Sequence, residues 1–400
     1  MVIVKGLPCN LAMNAEGRDA LLIFIYANVP EFSVYFLYQQ PPGDTAENVM
    51  KYEAVTIRDI AQALGLSTST VSRALRDSHE ISTETKRRVL EHARSINYQP
   101  NPIAVSLRER KSHSIGIIVS EIANRFFSEI INGVESVAID RGYNVIIAQS
   151  LESAERERRQ IQFLTSRSID GLLVSVSNET DDTSMFSELI EKGLPIVFFD
   201  RVVQDIDTHK VIVDNTLGSF DATVHLIRKG YRRIALVTNV EGLSITRERE
   251  AGYRAAMQKH GIPVDDTLIR HTRPGGQAEP EAAEIMNSLM DLPDRPDAIF
   301  ATSDRLTTGC LRYLKKNQIK IPEEMALIGF SNSEITELLD PPLSIVRQPA
   351  FEMGTTAIRM LLEMIESKRP VTQFRTQVLA AEHVFRQSTH AKTRNDQVTG

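Results

Sequence analysis

The 400-residue sequence predicts an α/β protein of two parallel-sheet lobes preceded by a small all-α domain. Three observations carry this. From Ser114 onward, short apolar runs alternate with amphipathic stretches; the alternation breaks near Asp214 and resumes; and the stretch from Thr56 to Ile96 has the period of helices. Near-continuous apolar strands separated by helices belong to parallel sheets covered on both faces. The chain is also too long for one ordinary core, so more than one domain is expected.

The head is read from its caps. Thr56-Ile57-Arg58-Asp59 resembles a capping box, with Thr56 placed to cap and Asp59 at the third helical position. Ile57, Ile60, Ala61 and Leu64 follow at i, i+3, i+4 and i+7 on one apolar stripe. Gly65 ends that helix, as a residue just past the last turn does. Ser67 caps a second short helix, with Val71, Ala74 and Leu75 inward and Thr68, Ser69, Ser72, Arg73 and Arg76 outward. A third helix from Ser82 turns Val89, Leu90, Ala93 and Ile96 inward. Helix, glycine-bearing turn, and a helix with a polar, cationic face make the helix-turn-helix plan, although a plain three-helix bundle shares the pattern. Short hydroxyls at a helix start reach phosphates and base edges without bulk, and an arginine one turn on can fork onto guanine. Asn101-Pro102 opens a further helical stretch, Ile103 to Arg108, too short to hold alone and too apolar for a linker.

The charge is uneven in the same sense. The net charge is −6, yet Lys51 to Lys111 holds 11 Lys and Arg against 7 Asp and Glu. A basic segment on an acidic body suits a protein that touches nucleic acid with one end.

In the body, the runs Ile115–Val119, Asn144–Ala148, Gly171–Val174 and Pro195–Phe199 precede the break, and Ile234–Val237, Ala298–Ala301 and Ala326–Gly329 follow it. Helices around Asn132 to Asp140 and Ser219 to Lys229 are expected to line the lobes. Ligands of such sheets bind outside the carboxyl ends of the strands. Polar groups gather there: Asn124-Arg125-Phe126-Phe127, Asp200-Arg201, Arg247, Ser303-Asp304 and Ser331-Asn332. Phe127 and Phe199 read equally as core, Asp200 has a second reading as the cap of the following turn, and Asp214-Asn215 reads as loop geometry between lobes.

Several functions lose support. No GxGxxG follows a strand, and no Walker A, HExxH or GxSxG occurs, so the chain is not expected to be an enzyme, and no cofactor or metal site is expected. Cys9 and Cys310 make no framework, which fits a cytoplasmic location. Apolar runs within residues 1–49 are too short to span a bilayer, and Glu16 and Asp19 stand where an export signal wants positive charge. Met50, opening directly onto an organised pattern, is expected to be the natural start, with residues 1–49 a non-native or disordered extension.

Thr56-Ile-Arg-Asp-Ile-Ala, then Leu66-Ser-Thr-Ser-Thr-Val-Ser-Arg-Ala-Leu, then Asn97-Tyr98-x-Pro100-Asn101 resembles the LacI/GalR family of bacterial transcriptional regulators, from about Val55 to Gln387. The resemblance implies a helix-turn-helix domain over 50–100, a hinge helix and linker over 101–112, a two-lobed sensor over 113–388 of the type I periplasmic-binding-protein kind, and a disordered tail over 389–400. It places Thr68, Ser69 and Arg73 in the major groove, with Ser67, Thr70 and Ser72 on the backbone. Thr56, Ile57, Arg58, Arg76, Asn101 and Arg108 complete the DNA-binding set. Leu107 corresponds to a leucine wedged into the minor groove, beside a small residue at Ala104. Pro102 and Val105 stand at positions that vary in the family, which leaves base preference there open. Asn124, Phe126, Phe127, Asp200, Arg201, Arg247, Asp304 and Ser331 fall on the effector positions. Ser331-Asn332 departs from the acidic residues of many relatives, so the effector, expected to be sugar-like, is unsettled. The implied partners are near-palindromic operator DNA, a small-molecule effector and a second copy of the chain, with no membrane. Gln387 to Gly400 carries no apolar heptads, so a homodimer is expected without a tetramer-forming tail.

Overall fold

In a computed structural model, residues 55–99, 111–273 and 278–390 are described. The expectations for residues 1–49, the proposed hinge (Asn101, Ala104, Leu107, Arg108) and the last ten residues lie outside them. The tail expected from residue 389 starts too early: Thr389 is buried, its hydroxyl 2.6 Å from that of Ser344 and 2.8 Å from the His225 ring. The chain divides into two units, residues 1–99 and 100–400.

The first unit is three helices, α1 (Ile57–Leu64), α2 (Thr68–Leu75) and α3 (Thr83–Ser95). The Thr56 amide donates to the Asp59 carboxylate at 2.7 Å, so the expected start of α1 is in place. Gly65 follows α1 at φ +63°, ψ +32°, the left-handed conformation that glycine adopts without a Cβ penalty. Ser67 Oγ accepts from the Thr70 amide at 3.0 Å and starts α2. Ile60, Ala61, Val71, Ala74, Val89 and Ala93 form the core. Leu90 does not join them: it stands 39% exposed, because Val89, Ala93 and Ile96 already mark the inward stripe and Leu90 lies about 100° around the helix from Val89.

The second unit has two six-stranded sheets among the described residues. The first lobe holds β1 (Ser114–Val119), α4 (Arg125–Asp140), β2 (Asn144–Gln149), α5 (Ala154–Ser166), β3 (Gly171–Val174), α6 (Ser184–Glu191), β4 (Ile196–Phe199) and β5 (Lys210–Val213). The second holds α7 (Asn215–Arg228), β6 (Ile234–Thr238), α8 (Ser244–Lys259), β7 (Ile269–His271), α9 (Ala278–Met290), β8 (Ala298–Ala301), α10 (Asp304–Lys316), β9 (Ala326–Phe330) and β10 (Ser344–Arg347). The chain then returns to the first lobe as α11 (Ala350–Glu366) and β11 (Thr376–Leu379), and closes the second sheet with β12 (Glu382–Val384). Strand orders are β11-β5-β4-β3-β1-β2 and β12-β10-β9-β8-β6-β7, with β12 antiparallel to β10.

Burial explains the strands. Ile115, Ile117, Ile118 and Val119 are fully buried, as are all residues of β3, β4, β6, β8 and β9. The crossover into the second lobe is fixed by Asp214, whose carboxylate accepts from the Leu217 amide at 2.9 Å and caps α7. The return helix is locked by a reciprocal glycine contact. A Cβ on Gly133 of α4 would collide with the Phe351 carbonyl oxygen, and one on Gly354 of α11 with that of Ile130. The two backbones therefore touch, and α11 shares the first lobe's core through Met353, Ala357, Ile358 and Leu361.

Candidate functional site

On the first unit, α2 presents Thr68, Ser69, Arg73 and Arg76 as exposed side chains, with Ser72 half-buried. Their bonds are local. Ser67 Oγ lies 2.8 Å from both the Ser69 and Thr70 hydroxyls. Arg76 Nε donates to the Ser72 carbonyl at 3.0 Å, and Arg73 pairs with Glu80 at 2.9 Å. Arg58 is exposed, as is Thr56, while Ile57 packs partly into the core. The result is a hydroxyl- and guanidinium-bearing helix face, held in place by bonds within seven residues.

The second unit's cleft lies at the carboxyl ends of the strands. Seven of the eight expected effector residues line one cavity there: Asn124, Phe126, Phe127, Asp200, Arg201, Asp304 and Ser331. Asn124 also caps α4, its side chain accepting from the Phe126 amide at 3.0 Å. Phe126 and Phe127, with ring centroids 5.1 Å apart, serve both the core and the cavity wall. Phe199 is fully buried and belongs to the core. Asp200 ends β4 at φ +58°, a backbone conformation that aspartate tolerates better than most residues, and its side chain faces the cavity. Ser331 donates to the Asp304 carboxylate.

Arg247 is the exception. It is exposed, and its guanidinium donates to the Gly242 carbonyl at 2.9 Å. Arg249, two residues on, lines the cavity instead. Successive α-helical residues turn by about 100°, so positions two apart face nearly opposite ways. A signal for Arg249 was present in the sequence: Ile245, Arg249, Gly252, Tyr253 and Ala256 form one buried helical stripe. Its Nε donates to Asn215 Oδ1 at 2.8 Å, its Nη1 donates to the Thr302 carbonyl, and its guanidinium lies 3.9 Å over the Phe330 ring. Asn215 in turn donates to Glu248 at 2.8 Å. The Asp214-Asn215 pair thus caps one helix and orients the arginine of another. Asn239, Ile245, Phe330 and Gln348 also line the cavity and were not singled out by sequence. Ser303 and Asn332 do so from the strand ends where polar groups were expected.

Burial dominates the electrostatics. It pushes the Asp200 and Asp304 carboxyls above the usual range, and Arg201 only partly offsets this at Asp200. It depresses the Arg249 guanidinium to about 10. Burial would raise Glu152 too, but its 2.6 Å pair with Arg201 holds it below the usual range. Across the lobes, Arg125 of α4 pairs with Glu334 at 2.8 Å, and Arg305 with Glu121. Asn332 Nδ2 donates to Glu129 at 2.9 Å and to the Gln348 carbonyl at 2.8 Å. Among the described residues, no group of three or more His, Cys, Asp or Glu could hold a metal ion, and no helix is long and apolar enough to cross a membrane.

Two family descriptions match the chain. Residues 56–101 match bacterial regulatory proteins, lacI family, and residues 223–389 match a periplasmic binding protein-like domain. The HTH-type transcriptional repressor CytR of Escherichia coli (strain K12) is 32% identical over 339 residues, covering 84% of this chain and 97% of that protein. The transcriptional regulator CelR, solved in complex with cellobiose, is 29% identical with a TM-score of 0.61, covering 84% of this chain and 99% of that one. The lac repressor dimer bound to operator and the anti-inducer ONPF has a TM-score of 0.70 at 22% identity, over 85% of this chain and 100% of that one, a likeness of fold.

Proposed function

The chain belongs to the lacI family of bacterial regulatory proteins, DNA-binding transcriptional repressors, and from that premise we propose how its parts divide the work. A homodimer reads a near-palindromic operator through two copies of the α2 face, with Thr68, Ser69 and Arg73 on base edges and Ser67, Thr70 and Ser72 on the backbone. Residues 101–112 form the hinge, and Leu107 wedges into the minor groove at a deformable step. The cleft between the lobes takes a sugar or sugar derivative, which shifts the balance between lobe arrangements and so changes operator affinity by the same linkage factor.

The observation that carries this reading is the cleft itself. Arg201, Arg249, Asp200 and Asp304 converge from both lobes beside phenylalanine rings, the pairing of planar charged groups with an apolar wall that suits adjacent hydroxyls on a ring. The CelR structure, which holds cellobiose, supports the sugar class.

Fluorescence anisotropy of the full chain, on DNA upstream of its own and neighbouring genes against shuffled DNA, tests the reading. Specific DNA is expected to bind on the order of a thousandfold tighter at near-physiological salt, with that ratio moved by a sugar from a panel. Leu107→Ala is expected to weaken specific binding more than non-specific binding. Equal affinity for both DNAs, with or without pooled metabolites, would sink the proposal.

A further inference from the structure

Acidic side chains on a surface that meets DNA work against the attraction for phosphates, so where the head places them carries information. Among the described head residues, most acids find partners outside α2. Asp59 bonds Thr56 at the start of α1, Asp77 takes Lys86 of α3 at 2.6 Å, and Glu84 and Glu91 share Arg87 of α3 at 2.8 and 2.9 Å. Glu80 alone among them reaches α2, where its Oε2 lies 2.9 Å from Arg73 Nη1.

The turn between α2 and α3 puts the carboxylate there. The Ser78 amide donates to the Arg73 carbonyl at 3.0 Å, so the turn folds back on the end of α2. The Ile81 amide donates to the Ser78 carbonyl at 3.2 Å, and the Ile81 side chain packs against the head's core. Lys86 pins the start of the turn through the Asp77 carbonyl and carboxylate. The backbone that carries Glu80 is thus held on both sides. The two paired side chains are each about half exposed, and a pair so exposed adds little to folding. Its consequence lies in what it can meet outside.

A free guanidinium takes phosphates on any sequence, and so supports random and specific DNA alike. Paired with a carboxylate, it offers a phosphate little net charge. Its remaining N–H groups still match guanine O6 and N7, and a carboxylate can accept from a cytosine amino group. The pair therefore gives up affinity for random DNA and keeps affinity for a base edge.

We propose that Glu80 is a positioning residue for DNA recognition: it holds the Arg73 guanidinium off the phosphates and toward a base edge, and so widens the margin between operator and random DNA. This rests on the reading of the α2 face given above.

Fluorescence anisotropy of the full chain over a salt series tests it, on the upstream DNA described above against its shuffled counterpart. In the isosteric Glu80→Gln, shuffled DNA is expected to bind about fivefold tighter, the scale of one exposed charge effect in each of two heads. The ratio of specific to shuffled affinity should fall by a similar factor. The slope of log affinity for shuffled DNA against log salt should steepen by about one per head, as Arg73 gains a phosphate. The urea midpoint should stay in place, which a merely structural role would not allow. In an Arg73→Ala background, Glu80→Gln should change the ratio by less than about twofold, because a lone carboxylate repels the phosphates of both DNAs alike. An unchanged ratio and slope, an equal fall in the ratio without Arg73, or a fall accompanied by a lowered midpoint would overturn the proposal. Arg73→Ala leaving both affinities unchanged would sink the α2 reading and this one with it. A loss in Arg73→Ala beside unchanged affinities in Glu80→Gln would sink this one alone.

Discussion

The α2 face and the cleft are both polar surfaces, yet they are held in opposite ways. Around α2, the bonded side chains find partners a few residues away at the surface: Ser67 with Thr70, Arg76 with Ser72, Arg73 with Glu80. In the cleft, partners come from distant parts of the chain: Arg201 from Glu152, Arg249 from Asn215 and Thr302, Asn332 from Glu129. A face of the first kind can change its chemistry at little cost to folding. A site of the second kind cannot, because Arg201, Arg249 and Asn332 are also joints between elements or lobes.

Substitutions sharpen that contrast. Arg249→Ala is expected to have the largest effect, since it strips a buried cation from Asn215, the Thr302 carbonyl and the neighbouring Asp200. Stability should fall by about 3 kcal/mol or more in urea unfolding, and the effector response should vanish. An unchanged midpoint would place Arg249 in the freely mutable class with the α2 face. Arg73→Ala should cost about 1–3 kcal/mol in discrimination between specific and mismatched DNA. Its urea midpoint should hardly move, because Arg73 and Glu80 are each half exposed and such pairs contribute little. Equal loss on matched and mismatched DNA would show a phosphate contact in place of a base contact.

A third test uses pH. The His225 ring stacks on Phe385 at 3.7 Å and meets the Thr389 hydroxyl at 2.8 Å. Burial, with help from Lys229 and His383, lowers its pKa from 6.5 to about 4. The unfolded chain therefore takes up a proton below about 6.5 that the folded chain refuses until about 4. The contribution is fully present above the upper value and is lost as pH falls through this window. A His225→Gln variant should show a shallower decline of Tm from pH 6.5 to 4 than the parent, and parallel declines would count against it. The smallest effect belongs to Arg247→Ala. It should leave stability within about 0.5 kcal/mol and effector binding unchanged, as for an exposed side chain away from a site.

Much of this architecture was legible because burial on both faces leaves a strong mark. The five-residue run Ile115 to Val119 and its counterparts stand out as apolar, and capping residues such as Thr56, Ser67 and Gly65 announce helix ends. The edge strands were not legible. In β11 only Leu379 of four residues is buried, and β12 spans three residues, so neither carries a pattern that separates it from a loop. In the site, residues just past strand ends could be read from position alone, as Asp200 and Asp304 were. Arg249 required the phase of α8, and Gln348 required knowing that the chain between β10 and α11 passes the cleft. Leu90 shows the same limit from the other side, where an apolar residue next to a buried one turned out to face solvent.

The return of the chain to its first lobe has a consequence for how the molecule is made. The core around β1 and α4 lacks Met353, Ala357, Ile358 and Leu361 until α11 arrives, and its sheet lacks an edge until β11 does. On a ribosome, the lobe that is begun first is therefore finished after most of the second has been synthesised, and its exposed apolar face must wait through that interval. For the same reason no single cut in the gene yields one whole lobe, so recombination cannot exchange one half of the sensor as a contiguous cassette.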